Sequence, residues 1–488
     1  MIGQARQWRD VALTGVTADS RQVEKGNLYL ACVQEPQRLR QYVLQAQQNH
    51  AAAVAVDVEQ LIGLDLAGFT VPLMPCLGLI QQQGAIAAAY YDDPSTRMDL
   101  IGITGTNGKT SCSHFIAQCL NQLQRPCGIL GTLGYGMLDN LQPSINTTPD
   151  AVTIHRQLAV MLSQRAKHAA IEVSSHGLQQ NRLAGLHFRT AVLTNLSRDH
   201  LDYHGTMQAY GKIKSRLLCW PGLKTAVINF DDNFGRGLVN SIAPSVQVLT
   251  HSTWVSESAH VDIGLTDLQL GQDGLAMELS TPQGRAQLKV AVLGRFNVSN
   301  ILATLAVLLD QGIPLASVIK ALQKVHTVTG RMQLFGTVGQ PRVVVDYAHT
   351  PDALQQALQA VREHISGGRL FCLFGCGGER DKGKRPQMAR IAEQLSHQIW
   401  ITDDNPRNED SAAIIADIQA GFVHPEEVHY EPDRNQAIRQ IIAAAGPKDL
   451  VMVAGKGHET WQEINQRRHP FSDREQVEAA LACWRRSA

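Results

Sequence analysis

Short apolar runs that stop at a polar segment rich in Gly, Asp or His, and are followed by helical spacing, recur along this chain. "LIGITGTNGKT", "HAAIEVSSHG", "TAVLTNLSRDH", "TAVINFDD", "RVVVDYAHTPD", "LFCLFGCGGERDKGK", "HQIWITDDNPR" and "DLVMVAGKGHE" all have this form. Apolar runs of that length alternating with amphipathic helices specify parallel sheets covered by helices. Ligands of such sheets lie beyond the carboxyl ends of the strands, so the polar segments are expected to line crevices. The expected fold class is therefore α/β. The section at 253–294 differs, with short alternating runs and no helical stretch, and predicts a small antiparallel patch attached to the middle domain.

At 488 residues the chain exceeds one ordinary core, and three domains are expected, at about 1–97, 98–328 and 329–488. The breaks are read from the turn residues of "YDDPSTRMD" and "HTVTGRMQ". Forty-four basic side chains balance 44 acidic ones, so no global field draws the chain to nucleic acid or to an anionic membrane. Any phosphate must be held by local geometry. The nine cysteines show no paired CxxC spacing, which argues against a disulfide framework or a zinc knuckle. With no apolar leader and no run of about 18 apolar residues, the expectations are a cytoplasmic chain, no membrane insertion and no nucleic-acid partner.

Five stretches carry chemistry. In "LIGITGTNGKTSCSHFIAQCL" a strand runs into Gly105, Thr106, Asn107, Gly108, Lys109 and Thr110 and then a helix, so backbone N–H groups converge on an anion. Lys109 would meet the outer phosphates and Thr110 would ligate Mg²⁺; Ile103 stands where the first Gly of the standard loop would fall. Glu172 ends one strand, and Arg198, Asp199, His200, Asp202 and His204 follow another. Either these form an ordinary polar cluster or they complete the shell of a second Mg²⁺. "GCGGERDKGKRPQM" gathers Arg380, Lys382, Lys384 and Arg385, either as a solvated basic loop or as a receptor for anionic groups. Finally, "WITDDNPRNED" sets Arg407 among Asp403, Asp404, Glu409 and Asp410. One reading is a turn in which Arg407 pairs with these neighbours; the other is a forked receptor for a carboxylate, whose acidic surroundings take an amine.

Taken in order, "GTNGKT", "NTTPD", "EVSSHGLQQNR", "TNLSRDHLDYHG", "LGRFNVSN", "GRMQ", "DYAHTPDAL", "FGCGGERDKGKRP", "DDNPR" and "AGKGHE" resemble the Mur ligases of peptidoglycan synthesis. The resemblance runs from about Ile101 to the C-terminus; before that, only "TADSR", "KGNLYLA" and "HAAAVAV" match well. It implies a central P-loop ATPase-like parallel sheet and a C-terminal Rossmann-like domain. It implies ATP on Gly105 to Thr110, with Asn297, Arg331, Asp346 and His349 at the adenine and outer phosphates. Mg²⁺ would be held through Thr110, Glu172, His200 and Lys214, the last carbamylated. Further implied are contacts of Thr147, Thr148, Ser174, Gln180 and Arg182 with a UDP-N-acetylmuramoyl-L-alanyl-D-glutamate substrate, and of Ala18 and Ser20 with its uracil end.

"DDNPR" implies that the amino acid added is meso-2,6-diaminopimelate. Arg407 would take its distal carboxylate, Asp404 and Glu459 its distal ammonium, with Arg380, Asn405, Pro406 and Gly455 completing the receptor. The reaction implied is ATP-dependent ligation through an acyl phosphate, with Lys109, Lys214 and His200 catalytic, in a monomer. The rivals are a lysine-adding or folate-extending ligase of the same superfamily and, from another class, a P-loop ATPase switch.

Overall fold

The computed structural model describes residues 12–33, 35–197, 199–253 and 261–484, apart from the side chains of Pro36 and Asp202. The chain separates into two compact units, residues 1–251 with 306–311, and residues 252–305 with 312–488.

The first unit holds two sheets. In the first, β1 (Gly15–Thr17), β2 (Asn27–Leu30), β3 (Ala53–Asp57) and β4 (Leu73–Cys76) pair in parallel in sequence order. The second sheet is built around β5 (Asp99–Thr104), with β6 (Cys127–Gly131), β7 (Gly134–Met137), β8 (Asn140–Gln142), β9 (His168–Glu172), β10 (Phe188–Leu193), β11 (Thr225–Asn229) and β12 (Gln247–Ser252). Its order is β12-β11-β10-β5-β9-β6-β7-β8. β5 pairs in parallel with β10 on one side and β9 on the other, so the chain reverses its direction of winding at β5. That is where a doubly wound sheet opens a crevice. Leu100, Ile171, Ala191, Leu193, Ala226 and Ile228 are all fully buried, which explains why these strands read as continuous apolar runs.

In the second unit, β13 (Ile263–Gly271), β14 (Gly274–Thr281) and β15 (Gly284–Val290) form the expected antiparallel patch. The larger sheet comprises β16 (Gln333–Phe335), β17 (Arg342–Asp346), β18 (Leu370–Phe374), β19 (Gln398–Ile401), β20 (His429–Tyr430) and β21 (Leu450–Ala454). Its order is β16-β17-β21-β18-β19-β20, parallel except for β16. A separate hairpin, β22 (Trp461–Ile464) with β23 (Arg467–Pro470), follows.

Both units thus carry the parallel α/β sheets that the alternating pattern predicts. The nine cysteines are free. Among the described residues no helix is long and apolar enough to cross a membrane.

Candidate active site

Beyond β5 the chain turns sharply into the helix Lys109–Gln122. Gly105 has φ +145°, and a side chain there would collide with Thr194 Oγ1, so only glycine fits. The helix begins at Gly108 without a side-chain cap, whereas Asp150, Ser174 and Thr206 cap the helices that follow them. Its first N–H groups are left for a ligand. Asn195, beyond β10, braces the turn by accepting from Thr106 N at 3.0 Å and from Asn107 N at 2.9 Å.

Two ammonium groups meet at this turn. Lys109 Nζ donates to Gly105 O and Thr106 O, both at 2.9 Å, and Lys214 Nζ donates to Gly105 O at 2.8 Å. Lys214 is 1% exposed and sits over the Tyr210 ring. Burial, reinforced by the charge of Lys109, pulls its pKa down to about 7. Burial also lowers that of Lys109. Two cations sharing one carbonyl is an arrangement that anionic oxygens would relieve.

Glu172 lies at the end of β9, fully buried, and burial raises its pKa. It accepts from Thr110 Oγ1 at 2.8 Å, from Thr132 N at 3.1 Å and from Thr132 Oγ1 at 3.0 Å. Thr132 was not singled out in the sequence, although "GTLG" after β6 is another polar stop at a strand end. A buried carboxylate beside a hydroxyl at a phosphate loop suits a hard divalent cation once phosphate oxygens offset the two lysines. Among the described residues no three His, Cys, Asp or Glu side chains gather to hold a metal by themselves, so such a cation would need oxygens from its ligand.

A cavity of about 300 Å³ opens beside these groups, lined in part by Lys109, Thr147, Ser174, Arg182, His200 and Lys214. The structure therefore brings together residues from four separate motifs and, from outside them, Lys214. Arg182 donates to Thr148 O at 2.7 Å and to Gln180 Oε1 at 2.6 Å, while Thr148 Oγ1 joins Glu172 O to Ser174 Oγ. Thr148 is buried behind the cavity rather than lining it. His200, at φ +51°, is half-exposed and packs against the ring of His176, which sequence reasoning missed along with Tyr210. Arg198 lies outside the described residues.

Ala18 and Ser20 line a second cavity of about 460 Å³ with Tyr29, Arg38 and Tyr42. Ser20 Oγ donates to Gln45 Oε1 at 2.7 Å. The two tyrosines offer flat walls to a heterocycle.

In the second unit the four polar segments follow β17, β18, β19 and β21, so all lie at one end of a parallel sheet. Asp346 accepts from Met332 N and Ala348 N, and Arg331 lies over the Tyr347 ring next to His349. Asn297 is 2% exposed, with its amide engaged by Leu293 O and Asn300 Nδ2.

The loop after β19 departs from the solvated-turn reading. Arg407 pairs with none of the four neighbouring carboxylates among the described residues: Glu409 holds Arg385 and Lys382, Asp403 takes the Ser411 hydroxyl, and Asp410 caps a helix. Instead Arg407, at φ +54°, donates from Nη1 to Gly378 O at 2.7 Å and faces Glu463 Oε2 across 3.4 Å from Nε. A non-glycine residue keeps that backbone conformation when both flanking peptides are held. Here Arg407 N donates to Glu463 O, and Arg407 O accepts from Asn465 N.

The cluster at 380–385 divides in the same way. Arg385 is buried between Glu409 and Asp417, Lys382 pairs with Glu409, and Lys384 donates to His349 O, which leaves exposed Arg380 to face a ligand. Lys456 is fully buried and bridges Asn405 Oδ1 at 3.0 Å and Glu459 Oε2 at 2.9 Å. Asp404 is buried beside Gly455, whose φ of +119° and lack of a side chain leave room for that carboxylate.

Residues 103–308 match the Mur ligase middle domain and residues 330–457 the Mur ligase, glutamate ligase domain. The UDP-N-acetylmuramoyl-L-alanyl-D-glutamate–2,6-diaminopimelate ligase of Pseudomonas aeruginosa is 48% identical over 98% of this chain and 96% of its own length. The enzyme of the same name from Neisseria meningitidis serogroup B is 42% identical over 95% of this chain and 94% of its own. A solved structure of a ligase of that name superposes with a TM-score of 0.75 at 37% identity, covering 96% of this chain and 95% of the other. A folylpolyglutamate synthase of Mycobacterium tuberculosis, at 18% identity and a TM-score of 0.58 over 77% of this chain and 92% of its own, shares the fold alone. On motifs, structure and full-length similarity together, the chain belongs to the Mur ligase family.

Proposed function

We propose that this chain is an ATP-dependent ligase that joins meso-2,6-diaminopimelate to the D-glutamyl γ-carboxylate of UDP-N-acetylmuramoyl-L-alanyl-D-glutamate. The reading includes three domains (1–97, 98–328 and 329–488) and a cytoplasmic monomer. The observation that carries it is Arg407, withdrawn from its four acidic neighbours and held in a left-handed backbone at the end of a parallel sheet. A forked cation fixed in this way suits the distal carboxylate of diaminopimelate, which lysine lacks.

The uncapped helix start and Lys109 receive the phosphates, and Lys109 exchanges its backbone carbonyls for the γ-phosphate as charge develops there. Thr110, Glu172 and His200, with Lys214 if carbamylated, would hold Mg²⁺, which supplies charge neutralisation to the transferring phosphoryl group. A pKa of about 7 leaves much of Lys214 as neutral amine at neutral pH. That amine adds to CO₂ by forming an N–C bond and losing a proton, which converts a crowded cation into an anion. The substrate carboxylate, positioned by Arg182, Ser174 and Thr147, attacks the γ-phosphorus and releases ADP. The amine of diaminopimelate then attacks the acyl phosphate, and phosphate departs near Lys109 and His200.

The test is to incubate the protein with ATP, the UDP-linked dipeptide and single amino acids, and to follow ADP and peptide product. ADP should accumulate only with all three substrates present, and fastest with diaminopimelate. ATP hydrolysis without acceptor would favour a switch, and equal use of lysine would remove the assigned amino acid.

A further inference from the structure

The hairpin β22–β23 lies outside every motif that carried the functional reading, yet it grips the receptor loop at four points. Gln462 Nε2 donates to Asp404 O at 2.9 Å, Glu463 N to Asn405 Oδ1 at 2.9 Å, Arg407 N to Glu463 O at 3.0 Å, and Asn465 N to Arg407 O at 2.7 Å. It also brings a carboxylate to Arg407. The two side chains are partly exposed, 16% for Arg407 and 25% for Glu463, so the pair borders on the space a ligand would enter.

Most of the other carboxylates around this loop are committed elsewhere among the described residues, while Arg380 stays exposed and Asp404 is buried next to Gly455. Glu459 is held by Lys456, Glu409 and Asp417 by Arg385, and Asp473 by Arg434. Nη1 of Arg407 is engaged by Gly378 O and Nε faces Glu463, so the Nη2 edge remains for a ligand. A carboxylate arriving there meets a cation already half-neutralised and, a few ångströms away, a like charge. It is accepted readily when it brings its own cation on the adjacent carbon, because an ammonium there can turn to Glu463.

We propose that Glu463 is a specificity-determining residue, which balances Arg407 so that the receptor takes a distal group carrying both ammonium and carboxylate and disfavours one carrying a carboxylate alone. This rests on the reading of Arg407 as the carboxylate receptor.

The experiment compares kcat/KM for three amino acids: meso-diaminopimelate, 2-aminopimelate, which lacks the distal ammonium, and lysine, which lacks the distal carboxylate. Wild type, Glu463→Gln and Glu463→Ala are assayed at saturating ATP and UDP-linked dipeptide. Ratios within one preparation do not depend on how much of it is folded, so a less stable variant still reports. Removing the charge should lower the ratio of diaminopimelate to 2-aminopimelate by roughly tenfold or more, as for loss of one member of a close charge pair. Lysine should lose efficiency along with diaminopimelate. Equal losses for all three amino acids, or no change in the ratios, would overturn the role of Glu463 and make the hairpin a structural brace. Wild-type protein that ligates none of the three would overturn the underlying function instead.

Discussion

A single ammonium group shows how much one residue's surroundings decide. Lys214 shares the Gly105 carbonyl with Lys109 and is buried against Tyr210, which is why its amine is pulled down to a pKa of about 7. Lys214→Ala should abolish turnover while leaving the far-ultraviolet circular dichroism unchanged, with chloride or bicarbonate restoring part of it; full activity without additive would dismiss the carbamate. Arg407 is the second case. If its guanidinium receives the distal carboxylate, Arg407→Ala removes a charge-assisted contact of about 2–5 kcal/mol, so kcat/KM with diaminopimelate should fall roughly 30-fold or more, with far less change for lysine. Arg407→Lys should behave more like the alanine variant, because an ammonium offers no fork. Parallel losses on both amino acids would reduce Arg407 to a loop tether. Arg407 stands out in "DDNPR", but its ion-pair partner could not be read there: Glu463 is 56 positions along the chain, and only the hairpin brings it back.

Elements in the second unit are joined by buried charge as well as by apolar packing. Arg434, on the helix Arg434–Ala444, makes a two-pronged pair at 2.7 and 2.8 Å with Asp473, the first residue of the helix Asp473–Cys483, and both side chains are fully buried. Arg434 also donates to Ala454 O at the end of β21, so one guanidinium ties two helices to the strand that leads into "GKGHE". Asp473→Asn leaves that cation without its counter-charge and should cost about 3–5 kcal/mol. Denaturant unfolding of the full chain would measure it, and a loss below about 1 kcal/mol would mean that solvent reaches the pair. The strands themselves were legible as apolar runs because they are buried on both faces. The helix cross-tie was not, since two residues 39 positions apart with ordinary surface chemistry carry no local sign of sharing one buried site.

At the scale of the whole molecule, buried histidines govern the acid side of stability. His251 is fully buried and burial lowers its pKa to about 4; burial likewise lowers those of His155, His168 and His364. Between the ordinary value of about 6.5 and the lowered ones, the unfolded chain holds protons that the native chain does not. Stability from these groups is therefore complete above about pH 6.5 and is lost as pH falls through the window towards 4. Burial raises the pKa of Glu172, Asp346 and Asp404, which act in the opposite direction as pH rises through the raised values. The unfolding free energy should drop from pH 7 to pH 5, and a His251→Gln variant should show a slope smaller by about one proton. An unchanged slope would mean that His251 does not contribute.

By itself the sequence determined the α/β class and the phosphate turn at Gly105 to Thr110, because strand periodicity, glycine conformation and helix starts are local effects. The antiparallel section was equally legible from its short alternation. Tertiary structure alone decided which charges are spent inside the protein and which face a ligand. Of the four basic residues at 380–385, three were drawn into internal contacts, and of five carboxylates near Arg407 the one that reached it came from a distant hairpin. Pairing of charges depends on which strands end side by side, and that order is set by packing over the whole sheet rather than by neighbours in the chain.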